Sequence, residues 1–158
     1  MPPCVVRCLA VKSRVRTRIL VVDDQPAILI TYTLILQQQG YLVTSAASYE
    51  QAVQDVRDEP FDLLLCDFSL NGGHSGLEVI DLARSQQGDI GSLLLTGYPS
   101  PEIAEQATRR GATVLSKPTE IPELLRELEK LAAAHWPRSQ ATPSQPPVVR
   151  EPKPVTAG

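Results

Sequence analysis

Five short, almost unbroken apolar runs punctuate the middle of the chain: 18–23 (RILVVD), 41–45 (YLVTS), 61–67 (FDLLLCD), 92–96 (SLLLT) and 112–116 (ATVLS). A strand covered on one face alternates apolar and polar residues, whereas a strand covered on both faces reads as a continuous apolar run. The runs therefore predict buried strands, and the stretches between them carry helical periodicity. Pro26 suits a first-turn position, Ile28, Thr31, Tyr32, Ile35, Leu36 and Gln39 follow at helical spacing, and Gly40 closes that helix. Ser48 caps a second helix running to about Arg57, and Gly76 opens a third with Leu77, Ile80 and Leu82. Pro99 and Pro101 precede a fourth that ends at Gly111. Ile121, Leu124, Leu125, Leu128, Leu131 and Ala132 make the apolar stripe of a fifth.

Strands alternating with helices in this way predict an α/β fold: a doubly wound, five-stranded parallel sheet with helices on both faces. Right-handed crossovers, with two helices on one side and three on the other, make 2-1-3-4-5 the natural strand order. Strands 1 and 3 are then neighbours, and the winding reverses between them. Ligands of such sheets bind at that point, outside the carboxyl ends of the strands.

Strand 1 runs straight into Asp23 and Asp24, and strand 3 ends in Asp67 beside them. Three carboxylates crowded at one partly dry sheet edge are tolerated if a cation compensates them or if some of their pKa values rise. Carboxylate oxygens with room left for water and phosphate describe a Mg²⁺ site. Thr96 ends strand 4 and offers a hydroxyl; Lys117 follows strand 5 and offers a fixed cation. A carboxylate nucleophile, a metal site, a hydroxyl and an ammonium are together fit for phosphoryl transfer onto Asp. Each residue alone has an ordinary reading: a helix N-cap, a loop cap, a strand-end hydroxyl, a solvated cation. The phosphoryl-transfer reading rests on their joint placement at the ends of strands 1, 3, 4 and 5.

Charge bounds the partners. Residues 1–16 carry Arg7, Lys12, Arg14 and Arg16 and no acid, residues 17–136 hold 17 acids against 8 bases, and residues 137–158 are mildly basic. An acidic middle is a poor surface for nucleic acid, whose binding rests on neutralised phosphates. There is no signal-peptide core and no stretch long enough for membrane insertion. Residues 1–16 read as a disordered basic leader, or as the product of a mis-assigned start, and residues 136–158 as a disordered proline-rich tail in which PSQPP could serve as a polyproline ligand. Cys4 and Cys8 form a pair with no second half to complete a metal site, and Cys66 reads as a small buried thiol. An odd cysteine count without a signal peptide suits a reducing cytoplasm.

The segments ILVVDD, DLLLCDFSL, SGLEVI, LLLTGY and GATVLSKP, in this order and spacing, resemble the receiver domain of bacterial two-component response regulators. The resemblance covers about residues 17–135 and implies a flavodoxin-like receiver fold. It implies that Asp67 accepts a phosphoryl group from a phosphohistidine on a sensor histidine kinase or a histidine phosphotransfer protein. It implies Mg²⁺ held directly by Asp24, Asp67 and the backbone carbonyl of Ser69, with Asp23 acting through a metal-bound water. Thr96 would turn its hydroxyl to the phosphoryl group, Lys117 would pair with it, and Lys117–Pro118 would be a cis bond that aims the lysine inward. Two features depart from the family pattern. The loop after Asp67 has Asn71 where proline is usual and one extra residue, Gly72 or Gly73, as in receivers attached to hybrid sensor kinases. Val114 stands where a switching Tyr or Phe is usual.

Three further expectations follow. Tyr98, two residues after Thr96, is either an ordinary loop aromatic or a ring that shields an acyl phosphate from water. Ile30 and Leu34 fall on the far side of the first helix from its core stripe, as scattered exposed residues or as a docking patch for the phosphodonor. His74 and His135 lack the helical setting of a relay histidine. The leading expectation is a stand-alone receiver, because the roughly twenty residues after the domain are too few for a helix-turn-helix module. Its output would be contact with a downstream protein target or onward phosphotransfer, with no catalysis on a separate substrate. The alternatives are a receiver-like interaction module that is not phosphorylated and an Asp-nucleophile phosphatase. Adjacent Asp23 and Asp24, rather than a D-x-D pair, argue against the phosphatase.

Overall fold

The computed structural model describes residues 17–134. The leader, the tail with PSQPP, and Cys4, Cys8 and His135 lie outside the described residues. The elements in chain order are β1 (Arg18–Val22), α1 (Pro26–Gln38), β2 (Leu42–Ala46), α2 (Tyr49–Asp58), β3 (Leu63–Asp67), a 3₁₀ turn (Asn71–Gly73), α3 (Gly76–Gln87), β4 (Gly91–Thr96), α4 (Pro101–Arg109), β5 (Ala112–Ser116) and α5 (Ile121–Ala134). The strands form one parallel sheet in the order β2-β1-β3-β4-β5.

Alternation along the central strands builds two cores. Leu20, Val22, Leu64, Cys66 and Leu94 face α2, α3 and α4, meeting Ala52, Val56, Val79, Ile80, Ala83 and Ala107. Ile19, Val21, Leu63, Leu65, Leu93 and Leu95 face the other way, against Leu29 and Leu36 of α1 and Leu124 and Leu128 of α5. Burying both faces is why these strands are apolar throughout. Cys66 is the fully buried free thiol expected.

Boundaries shift where side chains and caps take over backbone groups. β2 starts one residue later than the apolar run, because Tyr41 completes the end of α1: its N–H donates to Leu36 O at 3.1 Å and that of Gly40 to Gln37 O at 3.0 Å. This pairing with Gly40 at φ +94° is a Schellman cap. β3 starts at Leu63, two residues late. Phe61 N–H is held instead by the Gln87 side-chain carbonyl at 2.7 Å. The Gln87 amide donates in turn to Val56 O at 2.8 Å and Glu59 O at 2.6 Å, tying α3 to the end of α2.

The inward face of α1 differs from the expected stripe. Leu29 and Leu36 are buried, and Tyr32 and Ile35 are half-buried. Thr31 is exposed, with its hydroxyl donating to Ala27 O at 2.7 Å. Apolar residues occur nearly all round this helix, so periodicity alone does not single out the face.

Candidate functional site

The site is built at the carboxyl edge of the sheet, where β1 and β3 are adjacent. Asp23 follows β1 directly, and its N–H still donates to Ala46 O at 3.2 Å, extending the ladder. Its Oδ1 accepts from Gln25 N–H at 2.9 Å, which folds the chain into α1 and fixes the carboxylate. Asp67 is the last residue of β3, and Phe68 N–H donates to Leu95 O at 2.7 Å, anchoring the chain as it leaves the sheet. Asp23 and Asp67 are buried and Asp24 is half-buried, and ligand oxygens of all three lie within 4.8 Å of one another. Thr96, buried at the end of β4, accepts Tyr98 N–H on its hydroxyl at 3.1 Å. Lys117 N–H donates to Thr96 O at 2.7 Å. The Lys117 ammonium stands 3.1 Å from Asp67 Oδ1 and 3.5 Å from Asp23 Oδ2, and the Lys117–Pro118 bond is cis.

The electrostatics follow from that packing. Burial pushes the Asp67 carboxyl up; Lys117 opposes this through hydrogen bond and charge, and Asp23 and Asp24 reinforce it. Burial alone would lower Lys117, but its bonds and charge contacts with Asp67 and Asp23 outweigh that and hold it above the ordinary lysine value. Next door, burial drives the Cys66 thiol well up, with Asp67 and Asp23 adding to the effect, so the thiol is a packing group and not a nucleophile. Three carboxylates faced by one ammonium leave an excess of negative charge on hard oxygen donors. That donor set fits a hard divalent cation, and Asp23, Asp24 and Asp67 are the residues that could hold it.

The structure thus gathers Asp23, Asp24, Asp67 and Lys117 into one cluster, with Thr96 at its rim. Ser69 is exposed on the loop after Asp67, where it forms an isolated antiparallel bridge with Ser75. Tyr98 is 87% exposed, its ring in solvent and its N–H on Thr96. Val114 lies on β5 beside Leu94 and packs against the core on the α2–α4 side. Ile30 and Leu34 are outside the cluster, 59% and 55% exposed on α1.

Several contributors escaped the sequence reading. Gly76, read only as a helix opener, lets α3 start against the end of β3. Its N–H donates to Phe68 O at 2.8 Å, and a Cβ there would stand 2.7 Å from Leu94 Cδ1, 3.0 Å from Cys66 Sγ and closer still to Asp67 O. Tyr32, read as core, carries a phenol that burial pushes up and that feels Lys117, Asp23 and Asp67. The His74 ring stacks on Tyr49, centroids 3.9 Å apart and planes 10° from parallel. No local pattern signals that pair; it joins the first residue of α2 to the loop before α3, 25 positions on.

Comparison with known proteins agrees with the geometry. The transcriptional regulatory protein ZraR of Escherichia coli (strain K12) is 36% identical over 118 residues, 74% of this chain and 26% of that protein. The alginate biosynthesis transcriptional regulatory protein AlgB of Pseudomonas aeruginosa is 37% identical over 123 residues, 77% of this chain and 26% of that protein. The chain therefore spans about a quarter of the length of these relatives. A CheY-like response regulator receiver domain protein from Methanospirillum hungatei superposes with a TM-score of 0.71 at 30% identity, covering 76% of this chain and 96% of that one. A Burkholderia pseudomallei response regulator, solved with a phosphorylated aspartic acid, a calcium ion and citrate, superposes with a TM-score of 0.66 at 30% identity, covering 80% of this chain and 75% of that one. Among the described residues no helix is long and apolar enough to cross a membrane. The model of the response regulator receiver domain matches residues 19–129, and the chain belongs to that family as a receiver domain of two-component signalling.

Proposed function

We propose that Asp67 accepts a phosphoryl group from a phosphohistidine on a sensor histidine kinase or histidine phosphotransfer protein, and that the receiver unit, residues 17–135, passes the change to a downstream protein target in the cytoplasm by contact or onward transfer. Members of this family meet histidine kinases and downstream targets, and they are generally signalling modules. The observation that carries the reading is the Asp67 carboxylate at the end of β3 with Asp23, Asp24 and the Lys117 ammonium around it. A similar protein of known structure carries a phosphorylated aspartic acid and a calcium ion.

In this reading Asp24, Asp67 and the Ser69 carbonyl would hold Mg²⁺, and Asp23 would assist through a water. The ion, when bound, supplies positive charge against the phosphoryl oxygens. An Asp67 oxygen attacks phosphorus while the P–N bond breaks, and the departing imidazole keeps the electron pair and takes up a proton. Lys117 exchanges its contact with Asp67 for one with the new phosphoryl oxygens, and Thr96 donates its hydroxyl to the same group. Asp67 and its surroundings hydrolyse the acyl phosphate in turn, so the only turnover is of the domain's own phosphoryl group.

Four residues, Val114, Tyr98, Ile30 and Leu34, set how this differs from other receivers. Val114 leaves no ring on β5 to rotate, so the movement of Thr96 is read out through the Tyr98 loop it is bonded to. The Tyr98 ring guards the acyl phosphate against water, and Ile30 and Leu34 form the donor's docking patch. The test is intact mass after incubation with Mg²⁺ and acetyl phosphate. The wild type gains one phosphoryl group and Asp67→Asn gains none; a wild type that never gains mass would leave a receiver-like interaction module without phosphorylation.

A further inference from the structure

The loop from Asp67 to α3 is a small hairpin. Its base is closed by Gly76 N–H to Phe68 O at 2.8 Å, its flanks by the Ser69–Ser75 bridge and by Leu70 N–H to His74 O at 3.1 Å. Its tip is Asn71-Gly72-Gly73, all exposed, with both glycines at positive φ (+80° and +79°). Two adjacent glycines at a tip make a soft turn, since neither restricts its own backbone. A hairpin with a soft tip can rock about its base unless something beyond the base holds it.

His74 supplies that hold from two directions. Its ring lies flat on Tyr49, the first residue of α2, and its Nδ1 is 3.3 Å from Glu78 Oε2 in the first turn of α3. The same Glu78 oxygen accepts Ser75 N–H at 2.8 Å, capping α3. Glu50, on the first turn of α2, stands 3.8 Å from His74 Nε2. Leu70, buried in the core, pins the opposite strand of the hairpin. The stack ties the hairpin to the start of α2, and the two carboxylates flank the His74 ring from α2 and α3.

We infer that Tyr49 and His74 are positioning residues for the phosphorylation site, and that they act by holding the hairpin so that the Ser69 carbonyl faces the acid cluster. This rests on the reading above, in which that carbonyl is a ligand of Mg²⁺. Groups that orient metal ligands typically contribute about 10- to 100-fold to affinity. The stack acts one step further out and on one ligand of several, so its loss should weaken Mg²⁺ binding by about 3- to 10-fold.

The experiment measures Mg²⁺ affinity of the unphosphorylated protein by calorimetry, together with acetyl phosphate labelling at limiting and saturating Mg²⁺. Tyr49→Ala and His74→Ala should each raise the Mg²⁺ dissociation constant by that factor, with labelling recovering at saturating Mg²⁺. Tyr49→Phe keeps a ring under His74 and should bind like the wild type. The Leu70 amide should exchange faster in Tyr49→Ala and not in Tyr49→Phe. If Tyr49→Ala unfolds, His74→Ala, in a partly exposed loop position, decides alone. Wild-type affinity in the folded alanine variants, or Tyr49→Phe as weak as Tyr49→Ala, overturns the inference while wild-type labelling continues. A wild type that neither binds Mg²⁺ nor labels overturns the underlying reading instead.

Discussion

The Lys117 ammonium reaches past the end of β4 to meet Asp67 at 3.1 Å, joining two strands that are not neighbours in the sheet. Standing 3.5 Å from Asp23 as well, it offsets part of the charge of the acids that would hold a divalent ion. Lys117→Ala should therefore separate two properties. Mg²⁺ affinity should hold or increase, because a competing positive charge is gone. Acetyl phosphate labelling should fall by about 100-fold, the usual cost of removing one preorganised charge at a reacting centre. Calorimetry and a mass-spectrometric time course check both. Parallel loss of binding and labelling would mean that Lys117 holds the acids in place and does no more.

Burial, reinforced by Asp23 and Asp24, raises the Asp67 carboxyl from its ordinary value in spite of Lys117. The sign for stability is worked out from proton uptake. Between the unfolded and the raised folded pKa the native state binds more protons, so rising pH through that window costs stability. Without metal, wild-type protein should lose stability as pH rises above the normal Asp range, and Asp67→Asn should lose less. Removing one of three carboxylates whose ligand oxygens lie within 4.8 Å of one another relieves repulsion that Lys117 only partly offsets, so the variant should gain on the order of 1 kcal/mol at neutral pH. Added Mg²⁺ should stabilise the wild type more than the variant and move the Asp67 titration, followed by carboxyl-carbon NMR, downwards. A midpoint indifferent to Mg²⁺ would place the ion elsewhere.

Gly76 is where α3 touches the phosphoacceptor strand. A methyl group there meets Leu94, Cys66 and the Asp67 carbonyl, two of them buried core residues with nowhere to move. Gly76→Ala should destabilise the fold by about 1–3 kcal/mol in urea unfolding, the usual range for overpacking. It should also slow labelling, because the obstructed carbonyl belongs to Asp67 itself. Unchanged stability would show that α3 can slide outwards at no cost.

How much of this was legible in the sequence depends on whether the signal is local. The strand order and the acid cluster were legible, since aliphatic runs with carboxylates at their ends are contiguous in sequence. The face of α1 was legible only in part: Ile28, Leu29, Ile30, Leu34, Ile35 and Leu36 nearly encircle the helix, and the sheet beneath decides that Leu29 is buried. The Gln87 tie and the His74–Tyr49 stack left no trace, because each joins residues far apart through one side chain. Gly76 could have been suspected from its place soon after the phosphoacceptor loop, but the close approach is a tertiary fact.

Tyr98 connects the site to solvent. Its N–H rests on the Thr96 hydroxyl while its ring stands 87% exposed, so in the proposed reading a turn of that hydroxyl would move the loop that carries the ring. Excluding water is what protects a reactive acyl phosphate. Tyr98→Ala should shorten the lifetime of the phosphorylated protein several-fold without changing the rate of labelling at saturating donor. Decay of the phosphoprotein mass with time measures it, and an unchanged lifetime would make Tyr98 an ordinary loop aromatic.

Ile30 and Leu34 lie one helical turn apart on α1, both more than half exposed, on the helix that begins beside Asp23 and Asp24. Neither supports the core, so Ile30→Lys should leave folding stability within about 0.5 kcal/mol of wild type. If the pair is where the phosphodonor docks, a lysine there loses apolar contact at the point of encounter. Transfer from a phosphohistidine donor should then slow by about tenfold, the effect of truncating one well-placed interface residue. Acetyl phosphate needs no docking surface, and its labelling rate should not change. The difference between the two donors is the decisive reading: equal loss with both would place the damage in the fold, and no loss with either would leave Ile30 and Leu34 as exposed residues without a partner.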